Sequence, residues 1–413
     1  APVSGPLRVA YVVTHYPRLA QTFIADEIKA LRAAGVEVVT TSVNRPEPSD
    51  VSGPEGRREE AATLYLKSVG PLAIARALVA AMRRGPGPLL AVWWALVGPA
   101  RFDVRAVVVR TAHLVEGVLL WAHCRRLGVR HLHAHFGGGT SNAAWCAVEL
   151  ARRIETERWT WSMTVHGLHD FMNERDCQYD RKAASASFIV AVSDFTRSQL
   201  LRTIDPADWP KARVIRCGID LGAFELRPTP NPSPVPTLLM VGRLAAEKGH
   251  LVFVEALALL AKRGVVADAR IVGDGPFRDE IEEAARRFGV AEHVHMMGER
   301  PPAEVRDLLT VSDVFCLPSF AEGLPVAMIE AMAIGTPVAA TFISGIPELA
   351  VDDRTAVVMP AGDADAFADG VERLLTDPAH AREMALAARR RVEERHDLHT
   401  NIAQLVTCIA EAR

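Results

Sequence analysis

Short apolar runs alternate with stretches of helical periodicity through both halves of the chain. In the first half the pattern predicts a strand at Leu7–Val13, a helix at Thr22–Ala34 and a strand at Val36–Val43. A helical region from about Arg57 to Leu127 follows. Strand-like runs return at His131–Ala134, Thr160–Val165, Ser187–Val192 and Arg213–Arg216. In the second half Thr237–Val241 precedes a helix expected at Lys248–Arg263. The runs Ala267–Val272, Val294–Met297, Val314–Leu317 and Val338–Thr341 continue the alternation. Runs that are apolar throughout, rather than at every second position, belong to strands buried on both faces, so two parallel sheets covered by helices are expected. Between the halves lies the stiff proline-rich segment Arg227-Pro-Thr-Pro-Asn-Pro-Ser-Pro-Val-Pro236. A chain of 413 residues suits two domains of that kind. With two similar halves, ligand binding at their interface is the default expectation.

Composition narrows the class. About half of the residues are hydrophobic, which permits large cores and argues against wholesale disorder. The six cysteines are scattered, without a C-x-x-C pair or a His/Cys cluster at ligand spacing, so a reducing compartment and no structural metal are expected. No charged-then-apolar leader opens the chain, and its apolar runs are too short to span a bilayer, which predicts a cytoplasmic protein. The net charge of −3 hides an asymmetry: residues 1–222 carry 28 basic against 21 acidic residues, and the remainder 19 against 29. Between Arg57 and Arg130 twelve basic residues face four acidic ones, mixed with Trp93, Trp94 and many aliphatic residues. That pattern fits either a helical insert with an Arg-rich solvent side or a basic amphipathic surface for peripheral contact with a membrane. Nucleic acid is not an expected partner, since no reading module appears.

The candidate chemistry gathers after the predicted strands, where open α/β sheets bind ligands. In Phe320-Ala-Glu-Gly-Leu-Pro-Val-Ala-Met-Ile-Glu330 two carboxylates stand eight positions apart, with Pro325 expected as the first helical residue. Glu322 at the mouth, Glu330 deeper, and free amides at the helix start would suit a sugar linked through phosphates to a ribose. The alternative is a solvated loop Glu and a helix-surface Glu. In Val241-Gly-Arg-Leu-Ala-Ala-Glu-Lys-Gly249, Gly242 permits close backbone approach while Arg243 and Lys248 supply two cations suited to a diphosphate. Neither a P-loop nor a dinucleotide fingerprint is present, which disfavours a nicotinamide dehydrogenase. Gly273 and Gly275 of Gly-Asp-Gly-Pro276, and Arg300 of Gly298-Glu-Arg-Pro-Pro302, also follow strands. His133, His135, His166, His169 and Asp170 crowd the strand ends of the first half without clear metal-ligand spacing.

These segments, in order over roughly Thr237–Leu375, strongly resemble the C-terminal half of retaining glycosyltransferases of family 4. Val192-Ser193, Thr164-Val-His-Gly167 and Cys217-Gly-Ile-Asp220 are similar to elements of its N-terminal half. Tyr16–Ile24, His133-Ala-His-Phe-Gly137 and Arg216–Asp220 resemble the subgroup that builds exopolysaccharides such as colanic acid. The resemblance implies the GT-B fold, an α/β class with two Rossmann-like domains facing across a cleft. It places an acceptor-binding domain at 1–222, a linker at 223–236 and a donor-binding domain at 237–393. A C-terminal helix at 394–413 returns to the first domain.

What the resemblance implies for function is metal-independent, hexosyl-type transfer from a nucleoside-diphosphate sugar, UDP-sugar preferred, with no cofactor beyond that co-substrate. The acceptor is a hydroxyl of a glycan, a lipid-linked species or a small natural product, and the anomeric configuration is kept. Glu322 would contact sugar hydroxyls, Glu330 the ribose, Arg243 and Lys248 the diphosphate, and His166 the sugar from the other domain. Gly242, Gly273, Gly275, Gly323, Leu324, Pro325 and Val326 would surround the donor, with Arg300 near the base. The family's usual Gly-Gly loop after the first strand is replaced by Thr14-His-Tyr-Pro-Arg-Leu19 and Gln21-Thr22. The acceptor side is therefore assigned to His15, Gln21, Thr22, Gly137, Gly138, His169 and Asp170. Rival readings are a nucleotide-sugar epimerase of the same fold and a non-catalytic sugar-nucleotide-binding protein.

Overall fold

The structure is a computed structural model describing residues 6–18, 21–51, 53–98, 101–167, 170–171, 177–227 and 234–413. It divides into two compact units, one joining residues 1–215 to 402–413, the other spanning 216–401. The division falls before the proline-rich segment because residues 216–227 are tied into the second unit. The Ile219 amide donates to His396 O, the Leu398 amide returns to Ile219 O, and the Arg227 amide donates to Ile334 O. The Arg227 guanidinium donates to Ser312 O.

The first unit holds a seven-stranded sheet: β1 (Arg8–His15), β2 (Glu37–Asn44), β3 (Leu64–Tyr65), β4 (His131–His135), β5 (Thr160–Val165), β6 (Phe188–Ala191) and β7 (Ala212–Val214). Their order is β3-β2-β1-β4-β5-β6-β7 and every pairing is parallel. The second unit holds a six-stranded parallel sheet: β8 (Thr237–Val241), β9 (Asp268–Val272), β10 (Val294–Gly298), β11 (Val314–Leu317), β12 (Val338–Thr341) and β13 (Val357–Met359). Their order is β10-β9-β8-β11-β12-β13. In each sheet the winding reverses once, between β1 and β4 and between β8 and β11. Those are the points where the loops diverge and leave a crevice at the strand ends.

Apolar positions build each core as the alternation predicts. Leu132, Ala134, Trp161 and Met163 of the first sheet pack with Trp121, Trp145 and Trp159. Leu238, Met240, Ile271 and Cys316 of the second pack with Phe253 and Phe367. The expected continuous helical region resolves into helices Gly53–Ala62, Pro71–Met82, Pro86–Val97 and Val104–Leu127, with the short edge strand β3 between the first two. Pro71, Pro86 and Pro88 start new helices rather than continue old ones. Asp103 caps the last of the four by accepting from the Ala106 amide. The helix expected from Lys248 begins at His250, and Lys248 instead ends a short 3-10 turn, Ala246–Lys248.

Candidate functional site

In the second unit the loops leaving four adjacent strands are laced together backbone to backbone. The Gly242 amide donates to Val272 O at 2.9 Å, Leu244 to Asp274 O at 3.0 Å, and Gly273 to Gly298 O at 2.9 Å. Gly273 has φ +136°, and a methyl group there would lie 2.0 Å from Gly242 O. Glycine is therefore required for the β8 and β9 loops to touch. The Phe320 amide donates to Glu247 O at 2.8 Å, joining the β11 loop to the turn after β8.

This lacing places Lys248 Nζ 2.7 Å from Glu322 Oε1. Ser319 Oγ donates to the same oxygen at 2.7 Å, and Thr341 Oγ1 fixes Ser319 by donating to its carbonyl at 2.6 Å. Glu322 is 7% exposed. A carboxylate so buried needs a charged or hydrogen-bonded partner, and it has both. The sequence gives Lys248 and Glu322 separate duties; the structure joins them in one ion pair at the switch point. Arg243 is exposed, and its side chain has no partner among the described residues. Pro325 stands one position earlier than expected, as N-cap of the helix Val326–Ile334, and its carbonyl accepts from the Met328 and Ile329 amides. The amides of the first helical turn have no intrahelical acceptor, and the partial positive charge there suits an anion. Gly323 is half-buried, Leu324 buried, and Glu330 half-buried on the second turn of this helix. Arg300 turns back on its own loop, donating to Met297 O at 3.0 Å and pairing with Glu304 at 3.4 Å.

In the first unit the switch point carries a layer of imidazoles. Residues 131, 133 and 135 point to one face of β4, opposite Thr160, Ser162 and Thr164 of β5. His133 spans Ser162 Oγ at 2.7 Å and Thr164 Oγ1 at 2.9 Å. His135 Nδ1 meets His166 Nε2 at 2.9 Å. Its Nε2 lies 3.2 Å from Glu27 Oε1, too bent for a full hydrogen bond. Glu27 also accepts from Tyr11 Oη at 2.6 Å, and burial followed by the Glu27 charge holds that phenol protonated. Burial lowers His166 to about 3 and His133 well below its ordinary value, so both are neutral near pH 7. Glu27, His133 and His135 bring ligand-type atoms within 4.8 Å of one another. Both His133 nitrogens are engaged by hydroxyls, so the arrangement fits a hydrogen-bonded layer better than a metal centre.

Asp170 is buried, and it binds the loop rather than facing outward. Its two oxygens accept from the Gly137 and His166 amides, each at 2.8 Å. Burial raises its carboxyl despite those bonds. Lys182, also buried, donates to Gly137 O at 2.5 Å and to Ser141 Oγ at 2.9 Å. Gly137 sits where a methyl group would collide with Tyr179 Oη, and Gly138 caps the helix Gly139–Ile154. His15 ends β1, half-buried, with its imidazole lowered by burial and then by Arg18. Gln21 caps the helix that Thr22 begins, and its Oε1 is buried without a partner among the described residues. His169 lies outside the described residues. Tyr11, Glu27, Lys182 and Ser319 escape sequence reasoning. Only Ser319 carries a signal there, its place just beyond the end of β11.

Comparison with known proteins gives these sites a class. Residues 224–391 match the family model of glycosyl transferases group 1. Over 377 residues, 88% of this chain and 89% of the relative, the chain is 26% identical to the putative colanic acid biosynthesis glycosyltransferase WcaL of Escherichia coli K12. It is 32% identical over 240 residues to the amylovoran biosynthesis glycosyltransferase AmsK of Erwinia amylovora, covering 57% of this chain and 58% of that one. Among solved structures, sucrose-phosphate synthase of Thermosynechococcus elongatus superposes with a TM-score of 0.74 at 20% identity, covering 98% of each chain. The fold is that of the GT-B glycosyltransferases, two parallel-sheet Rossmann-like domains. The match to the group 1 glycosyl transferases, residues 224–391, falls within the second unit, residues 216–401.

Proposed function

We propose that the protein moves a hexosyl group from a nucleoside-diphosphate sugar, UDP-sugar preferred, to a hydroxyl of a glycan, lipid-linked or small natural-product acceptor, with retention of configuration. The observation that carries this reading is the Lys248–Glu322 pair, set between β8 and β11 beside the N-terminus of Val326–Ile334. A departing diphosphate needs fixed positive charge where its own charge grows. Lys248 has donors left after meeting Glu322, Arg243 is free to fork onto two phosphate oxygens, and the helix amides add their partial charge. Glu322, anchored by Ser319, would orient sugar hydroxyls, and Glu330 would meet the ribose. His166, neutral, would act on the transferred sugar as a hydrogen-bonding group rather than a charge. A leaving phosphate oxygen would take the acceptor proton on the same face. These cations make a metal or other cofactor unnecessary. The names of the relatives, which concern colanic acid and amylovoran biosynthesis, favour a glycan acceptor. All six cysteines are free thiols, consistent with a reducing cytoplasm. A lipid-linked acceptor would bring the basic first unit to a membrane face.

The test is a screen of nucleotide sugars for release of nucleoside diphosphate, with and without acceptors. We expect turnover with a UDP-sugar, unchanged by EDTA. Arg243→Ala should lose it by roughly a hundredfold or more while keeping wild-type stability. Full activity in that variant, or binding of every donor without turnover, overturns the reading.

A further inference from the structure

Rings on three sides hold the His166 imidazole. Its centroid lies 5.0 Å from that of Phe23, 4.6 Å from Phe136 and 5.1 Å from His135. Phe136 reaches it from a backbone with φ +72°, a left-handed conformation that bulky residues rarely adopt. The Thr164 carbonyl pins that backbone, accepting from the Phe136 amide at 2.9 Å. Strain of this kind persists where the surroundings fix a side chain for use. His135 Nδ1 occupies the Nε2 of His166, so Nδ1 is the nitrogen left to meet a ligand. Whether it offers a hydrogen or a lone pair is decided by what stands behind His135.

Among the described residues the titratable groups against His135 are Tyr11 on β1, Glu27 on the helix Thr22–Ala33, His133 on its own strand, and His166. Burial opposes a charge on Glu27, but His135, His133 and the Tyr11 hydroxyl outweigh it and hold the carboxyl at about 2. Glu27 is therefore ionised at neutral pH and offers lone pairs only. Tyr11 Oη donates to Oε1, and His135 Nε2 approaches the same oxygen at 3.2 Å. A bare nitrogen there would set lone pair against lone pair in a buried site, so Nε2 carries a hydrogen. A neutral His135 then has a bare Nδ1, which accepts from His166 Nε2. His166 is neutral too, which leaves its own Nδ1 bare.

We propose that Glu27 and His135 are positioning residues that fix the tautomer of His166 and make its Nδ1 a hydrogen-bond acceptor for a hydroxyl of the transferred sugar. The inference rests on the sugar contact proposed for His166. A second proton on His135 reverses the relay. It occupies Nδ1, His166 Nε2 must then accept, and the His166 hydrogen passes to Nδ1. The acceptor form of His166 is thus tied to a neutral His135.

The experiment is NMR of the full chain labelled in the histidine ring nitrogens, with the His166 signals identified by their loss in His166→Gln. At about pH 8 the wild type should show hydrogen on Nε2 and a bare Nδ1, and acidification should move the hydrogen to Nδ1. The acid limb of kcat should follow that movement. Glu27→Gln, equal in size but uncharged, should mix the tautomers and lower kcat roughly tenfold with the donor KM little changed. Glu27→Asp keeps a carboxylate and should recover the Nε2 tautomer and part of kcat. Hydrogen on Nδ1 of the wild type at about pH 8 overturns the proposal. So does a Glu27→Gln chain whose His166 tautomer is unchanged, whatever its stability. If no nucleotide sugar is turned over, the proposed transfer fails, while the tautomer still tests the relay.

Discussion

Lys248 and Arg243 look alike in sequence, two cations five positions apart, yet their surroundings make them respond differently to removal. Glu322 is buried, and its side-chain partners Lys248 and Ser319 meet the same oxygen. Lys248→Ala leaves a charged carboxylate with a hydroxyl alone, a cost of about 1–3 kcal/mol. Arg243→Ala strands nothing, and its effect on stability should stay within about 0.5 kcal/mol. Urea unfolding should therefore show a lowered midpoint for Lys248→Ala and an unchanged one for Arg243→Ala, while both lose nucleoside-diphosphate release. Adding Glu322→Gln to Lys248→Ala should recover part of the stability and none of the activity. A double variant no more stable than Lys248→Ala would show that the pair's charge is not what Lys248 neutralises. The two cations were legible in the sequence; the partner was not, because the pair closes over 74 positions of chain. Glu27 was invisible for the same reason, since only the packing of its helix brings it to His135.

At the scale of elements the succession of strands along the chain and the loop motifs were readable because apolar runs and glycine-rich loops carry strong local signals, whereas their order within each sheet was not. The two-residue β3 and the three-residue β13 were not, being too short to show a period. What the motifs did not reveal is why their glycines are needed. Gly273 and Gly298 both have positive φ, but only Gly273 presses on another loop. A methyl group at Gly298 meets nothing within 4 Å, so Gly298→Ala bears the backbone cost alone, about 1 kcal/mol. Gly273→Ala adds a collision with the Gly242 carbonyl, and should cost about 2–4 kcal/mol and separate the β8 and β9 loops. Paired urea melts and donor-binding titrations check this: Gly298→Ala should bind donor nearly normally, and Gly273→Ala should not. Equal losses in the two would mean that the laced loops do not hold the site.

For the whole molecule, both units bury neutral imidazoles, and that makes stability depend on pH in a definite sense. Burial lowers His131 to about 3 and His133 well below its ordinary value in the first unit. Burial lowers His250 and His396 to about 4 in the second. In the unfolded chain each titrates near 6.5. Between those values the unfolded state binds protons that the native state refuses, so stability is fully present above about pH 6.5 and falls as the pH drops towards 4. Each fully buried histidine contributes a slope of about 1.4 kcal/mol per pH unit in that window. His131 and His133 act together, since Ser162 Oγ lies within 2.9 Å of both rings. The urea midpoint should hold steady between about pH 7 and 8 and decline from pH 6.5 downward. His131→Gln, which keeps hydrogen-bonding capacity without a titrating ring, should make the decline shallower. A midpoint that stays flat down to about pH 5 would mean that the rings accept protons inside the fold, and the neutral state assigned to His166 would lose its physical basis.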